Sequence, residues 1–168
     1  MTTLDDLTVA TRRVRESAQA VGAALSSVSV YTEPAIARAV QAEHNLYDRI
    51  DAEFGMLTST EAGKRMGSRS SAPRNLASTA RRNKALIGVR RGNHLVYPGF
   101  QFGPDGQPLA VIARLRAVAE ANGWSETGLA QWLCSPTTYF DGDRPVDHLH
   151  TDPDRVVAVT EADLSVSW

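Results

Sequence analysis

At 168 residues, 42% hydrophobic and 22% charged, the chain is too apolar for a disordered tail and long enough for one ordinary domain or two small ones sharing a core. Eighteen Lys and Arg against nineteen Asp and Glu leave a formal net charge of -1, so the chain as a whole is no polycation; its single cysteine, Cys134, excludes an internal disulfide and a cysteine-rich zinc site. No apolar run approaches the length that spans a bilayer, and Met1 to Asp6 is acidic rather than cationic, from which a cytoplasmic protein without membrane contact is expected.

Residues 1–55 read as a helical hairpin. Leu4, Leu7, Val14, Ala18, Val21 and Leu25 recur at three- and four-residue steps, the spacing of an amphipathic helix over Thr3 to Ser27. A second helix is expected after Thr32 or Glu33, with Pro34 in its first turn and Ile36, Val40, Leu46 and Ile50 on one side. Five basic and eight acidic residues make this region net acidic, which argues against its lying on DNA. Dimerisation, giving a homodimer, is one use for the hairpin; packing on its own chain is the other.

Residues 56–102 carry the charge that the total conceals. Between Leu57 and Phe102 stand Lys64, Arg65, Arg69, Arg74, Arg81, Arg82, Lys84, Arg90 and Arg91, with Glu61 the only acid, a local net charge of +8. Such a block inside an acidic frame is the footprint of a module that lays one face on a polyanion. Thr58 with Glu61 three residues on has capping-box spacing for a short helix that Gly67 ends. Ser68 to Ala72 reads as a polar turn, and Pro73 as the first turn of a second helix through Leu76 and Ala80, with Leu76, Ala77 and Ala80 as its apolar stripe. Leu86 to Val89 and Leu95 to Pro98 flank Arg90-Arg91-Gly92-Asn93, the pattern of two short strands around a Gly-Asn turn.

Helix, glycine turn, basic helix and basic hairpin resemble the winged helix-turn-helix of excisionases and MerR-type regulators, through Thr58, Glu61, Ala62, Met66 and Gly67, then Leu86, Gly88, Val89, Arg90 and Gly92. The resemblance implies a second helix that enters the major groove and a wing beside it. Expected on operator DNA are Arg74, Asn75, Ser78, Arg81 and Arg82 from the helix, Arg69, Ser70 and Ser71 from the turn, Lys84 beyond the helix, and Arg90, Arg91 and Asn93 from the wing.

After a turn-rich junction, Gly103 to Pro108, residues 103–168 read as a helical domain. One helix is expected over Leu109 to Ala121, ended by Asn122-Gly123; Ser125 caps the next, which stops before Ser135-Pro136; a last helix starts near Asp152-Pro153. From Tyr139 onward two basic residues meet seven acidic ones, a balance that suits a protein partner better than phosphate. Gly142 permits a turn closed to other residues, Pro145 fixes the entry to the next segment, and Arg144 can pair with Asp141 or Asp147. His148 and His150 with Asp147 and Asp152 have alternate spacing that would suit metal ligands, but two histidines in a loop beside several acids are expected to be solvated side chains. No nucleophile elbow, phosphate loop or dinucleotide fingerprint is present, so neither an enzyme nor a cofactor is expected.

The run Trp132-Leu133, Pro136, Phe140, Asp141-Gly142, Arg144-Pro145, Leu149, Asp154 and Val156-Val157 resembles the toxin-binding domain of the Xre/MbcA/ParS antitoxins, with Phe140 where leucine is common. That resemblance implies an antitoxin of a type II toxin–antitoxin system, which binds and neutralises a RES-type, NAD-consuming toxin and represses its own operon. Toxin contacts would then fall on Trp132, Asp141, Gly142, Arg144, Pro145, Leu164 and Trp168. The alternative is a stand-alone DNA-binding transcription regulator of the prophage or excisionase kind, with no toxin. In either case the expected fold is mainly α: an N-terminal helical hairpin, a central helix-turn-helix with a small β-hairpin wing, and a C-terminal helical domain.

Overall fold

The computed structural model describes residues 34–165, and the expected N-terminal helix and Trp168 lie outside them. The fold is mainly helical with one small antiparallel sheet. Contacts divide the chain after Gln41, and the described residues 42–165 form one compact unit.

Helix α1, Pro34–Phe54, starts at the proline, where a missing N–H loses no hydrogen bond, and stops at Gly55, whose φ of +78° turns the chain. Only its later part enters the core. Tyr47 and Ile50 are buried, whereas Ile36 and Val40, expected on the same apolar side, are exposed. Strand β1, Met56–Thr58, follows at once. Its three residues are too few to carry an alternating pattern, and the sequence shows them only as the approach to a helix cap.

Helix α2, Ser59–Arg65, has the expected capping box: Thr58 Oγ1 accepts from the Glu61 N–H at 3.2 Å, and the Thr58 N–H donates to Glu61 Oε2 at 2.7 Å. The Thr58 N–H and, at 2.8 Å, the Thr58 hydroxyl both donate to Glu61 Oε2 and hold that carboxyl below its ordinary pKa. Gly67, φ +85°, ends the helix region. Helix α3, Arg74–Arg82, follows Pro73 and ends at Asn83, so that Lys84 lies beyond it in the left-handed region, φ 63°. The two helices meet at Gly63, where a Cβ would stand 1.9 Å from the Pro73 carbonyl oxygen; only glycine allows this approach.

Strands β2, Val89–Arg91, and β3, His94–Pro98, form the expected hairpin, with Val89 opposite Val96 and Arg91 opposite His94 around the Gly92-Asn93 turn. β1 pairs with the other edge of β3, Leu57 opposite Tyr97, giving the order β1-β3-β2. The alternation of β3 lets one strand serve two cores. Tyr97 points into a small cluster with Ala62, Ala77, Ala80, Leu86 and Phe102, whereas Val96 joins the main core.

The main core is supplied by the C-terminal helices. Helix α4, Ala110–Ala121, contributes Val111, Ile112, Leu115 and Ala119; α5, Glu126–Leu133, contributes Leu129, Ala130 and Leu133; α6, Pro153–Leu164, contributes Val156, Val157 and Leu164. Ser125 accepts from the Gly128 N–H at 3.0 Å and Asp152 from the Arg155 N–H at 3.2 Å, the side-chain caps that start α5 and α6. Fully burying one such leucine or isoleucine stabilises the fold by about 1.5–3 kcal/mol.

The Gly103 to Pro108 junction folds back on α2. Phe102 pairs with Pro108, Gln107 Nε2 donates to the Met66 carbonyl at 3.1 Å, and a Cβ on Gly106 would stand 2.2 Å from the Arg65 carbonyl oxygen. Buried Gln101 ties the loop after α3 to the end of β3: its Oε1 accepts from the Ile87 N–H at 2.6 Å, and its Nε2 donates to the carbonyls of Ile87 and Pro98. A side-chain amide thus does the work of a strand edge. No helix among the described residues is long and apolar enough to cross a membrane.

Candidate nucleic-acid interface

Helix α3 buries Ala77 and Ala80 against α2 and turns its opposite face to solvent. Arg74, Asn75, Ser78, Thr79 and Arg82 are exposed there. Arg82 donates to Thr79 Oγ1 at 3.0 Å, a bond within this face that adds Thr79 to the residues expected from the sequence. Leu76, expected on the apolar stripe, is 38% exposed beside Asn75, because the stripe that packs on α2 is narrower than three residues. In the preceding turn Ser70 Oγ accepts from the Ala72 N–H at 3.0 Å and so holds the turn, while Arg69 and Ser71 are exposed.

Three of the nine cations have carboxylate partners. Lys84 pairs with Glu120 and Arg91 with Asp48 at 3.2 Å, the latter guanidinium also lying over the Tyr47 ring at 5.2 Å. The Lys84 ammonium holds Glu120 below its ordinary pKa. Arg81 is half-buried, with its Nε 3.0 Å from Glu126 Oε2. Expected in the groove, it turns instead toward α5. Lys64, Arg65, Arg69, Arg74, Arg82 and Arg90 have no carboxylate partner among the described residues, and all six are exposed. At the wing tip Gly92, φ +57°, makes the turn, and Arg90, Asn93 and His94 face solvent.

Glu126 and Arg116 are polar residues of this region that the sequence did not single out. Arg116 Nη1 donates to the carbonyls of Arg81 and Leu86, both at 2.7 Å, and its Nη2 to Glu126 Oε1 at 2.8 Å. The Gly88 N–H donates to Glu126 Oε2 at 2.6 Å. The only local signal was an acid in the first turn of a helix, which its dipole alone would justify.

The toxin-facing residues expected in the C-terminal region are differently placed. Trp132 is half-buried and donates its indole N–H to Asp163 at 2.7 Å; Pro145 is buried; Leu164, expected at the surface, is 5% exposed and packs in the main core. Arg144 meets both Glu53 oxygens at 2.7 Å and Asp147 at 2.6 Å, not Asp141, and lies over the Phe54 ring. It holds both carboxyls below their ordinary values. Asp141 and Gly142 are exposed and form a left-handed turn, φ 57° and 96°. Among the described residues no group of His, Cys, Asp and Glu is placed to hold a metal ion; His148 stacks on Phe140 with centroids 4.7 Å apart. Burial pushes the Cys134 thiol up to about 12.

No family model matches the sequence, and no curated protein matches it. Among solved structures the chain is similar to the NMR structure of Rv2175c, with a TM-score of 0.57 and 24% identity over 67% of this chain and 82% of that one. The likeness is one of fold.

Proposed function

We propose that this chain is a DNA-binding transcription regulator that reads duplex DNA with α3 and grips its backbone with the turn before α3 and with the wing. One observation carries the reading: among the described residues Arg69, Arg74, Arg82 and Arg90, on the turn before α3, on α3 itself and on the wing, are exposed without carboxylate partners, and Asn75, Ser78 and Thr79 are exposed on the same helix, in a chain whose other residues are net acidic. Arg74 and Arg82 supply charge at the two ends of α3, Arg69 precedes it, and Arg90 extends the contact from the wing. Asn75 and Arg82 have the donor geometry that pairs with adenine and guanine edges in the major groove. The test is fluorescence anisotropy with duplex DNA across a salt series. Four phosphate contacts per protomer would give a slope of log K against log salt no steeper than about -4. Salt-independent binding, or none, removes the reading.

An antitoxin role keeps this module and adds a RES-type toxin as partner. Its support is the C-terminal motif, most of whose side chains are engaged within the chain, which favours an architectural use of them. Co-purification with the product of an adjacent gene, together with rescue of growth, would decide for the antitoxin; failure of both would leave the regulator.

A further inference from the structure

Resting on the DNA-binding reading above, we propose that Glu126 is a positioning residue of the DNA module: it holds the junction of α3 and the wing, and it withholds Arg81 from the phosphate backbone. Its carboxylate is 19% exposed and accepts from three donors, the Gly88 N–H, Arg81 Nε and Arg116 Nη2. Arg116, 14% exposed, closes the circle through the carbonyls of Arg81 and Leu86. All these bonds converge on the last turn of α3 and the entry to β2, the segment that sets the angle between recognition helix and wing. A half-buried carboxylate is tolerated there because two guanidinium groups and an amide replace its water.

Arg81 would otherwise be a DNA contact. It stands in the last turn of α3 between buried Ala80 and exposed Arg82, and it lines a cleft of about 380 Å³ together with Arg90, Leu95 and Thr127. Gly88 makes the diversion possible: a Cβ there would stand 2.7 Å from Arg81 Nε, so the absent side chain leaves room for the arginine to lie across the backbone toward α5. With Glu126 neutralised, Arg81 is released beside Arg90 and joins it on phosphate. Glu126 therefore limits the effective charge of the DNA face, restraining sequence-independent affinity while it fixes geometry.

The experiment is the salt dependence of binding to a random-sequence duplex, measured by anisotropy on the full chain. Arg81→Gln should leave the slope of log K against log salt unchanged, because this arginine makes no phosphate contact; a slope shallower by about 0.9 overturns the proposal. Glu126→Gln should steepen the slope by about 0.9, and the double variant Glu126→Gln/Arg81→Gln should return it to the wild-type value. An unchanged slope in Glu126→Gln, or a steepening that persists in the double variant, also overturns it. The Arg81→Gln arm stands by itself if Glu126→Gln fails to fold. Absence of salt-dependent binding by the wild-type chain overturns the DNA-binding reading itself, an outcome distinct from all of these.

Discussion

In residues 56–102, Arg74, Arg82 and four further cations are exposed with no carboxylate partner among the described residues; in residues 103–165, three of the four arginines are paired with carboxylates and the fourth with a carbonyl. Arg114 meets Asp154 at 2.6 Å, Arg116 meets Glu126, Arg144 meets Glu53 and Asp147, and Arg155 donates to the Tyr139 carbonyl at 2.9 Å over the Phe140 ring. A charge already paired has less to gain from an external ion, because its partner must first be given up. The contrast separates a surface open to a polyanion from a helical frame held together by its own charges. Arg81 and Lys84 link the two, cations of the basic module paired with Glu126 and Glu120 of the frame.

The strongest way to break the contrast is to destroy one side of it. Gly63→Ala places a Cβ against the Pro73 carbonyl oxygen, a backbone atom that can retreat only by moving α3. It should cost about 3 kcal/mol, read as a lower denaturation midpoint, and should abolish DNA binding with it. Next comes Arg74→Ala/Arg82→Ala, which should weaken duplex binding roughly 10- to 100-fold at physiological salt while the midpoint moves by less than about 0.5 kcal/mol. Loss of stability without loss of affinity would assign those arginines to the frame.

Arg144→Gln should do the reverse, lowering stability by about 1 kcal/mol at neutral pH and leaving DNA affinity alone. Arg144 depresses the carboxyls of Glu53 and Asp147 from ordinary values of 4.5 and 3.8. A depressed folded-state pKa contributes stability that is present above the ordinary value and is lost as pH falls through the depressed one. The difference between wild type and Arg144→Gln should therefore be full above about pH 5 and shrink steadily below about pH 4, followed by urea denaturation at each pH. The smallest effect concerns the hydroxyl of Tyr97, which is buried in the small cluster with no hydrogen-bond partner among the described residues. Tyr97→Phe should leave thermal stability unchanged or raise it by up to about 1 kcal/mol.

Much of the fold was legible because its signals are local. The Thr58–Glu61 capping box, Pro34 at a helix start, Gly67 and Gly123 after helix ends, and Gly92-Asn93 in the hairpin each act within a few residues, so composition and spacing report them directly. The same holds for the starts of α5 at Ser125 and of α6 near Asp152-Pro153, where a side chain caps the helix from within a few residues. Less was legible at the candidate interface. Charge identified the module, but charge alone does not say which cations are already neutralised.

What the sequence determined by itself was therefore a mainly helical chain with a basic helix–turn–helix and wing in an acidic surround. Tertiary structure decided the rest: that Met56 to Thr58 adds a third strand, that Gln101 stands in for a strand edge, that Leu164 is core, and that Arg81 belongs to Glu126, 45 residues away. Each of these is a pairing across the fold. Helix caps and turns are enforced by neighbours on the chain, whereas the partner of a long charged side chain is chosen by whichever group folding brings within reach of its tip.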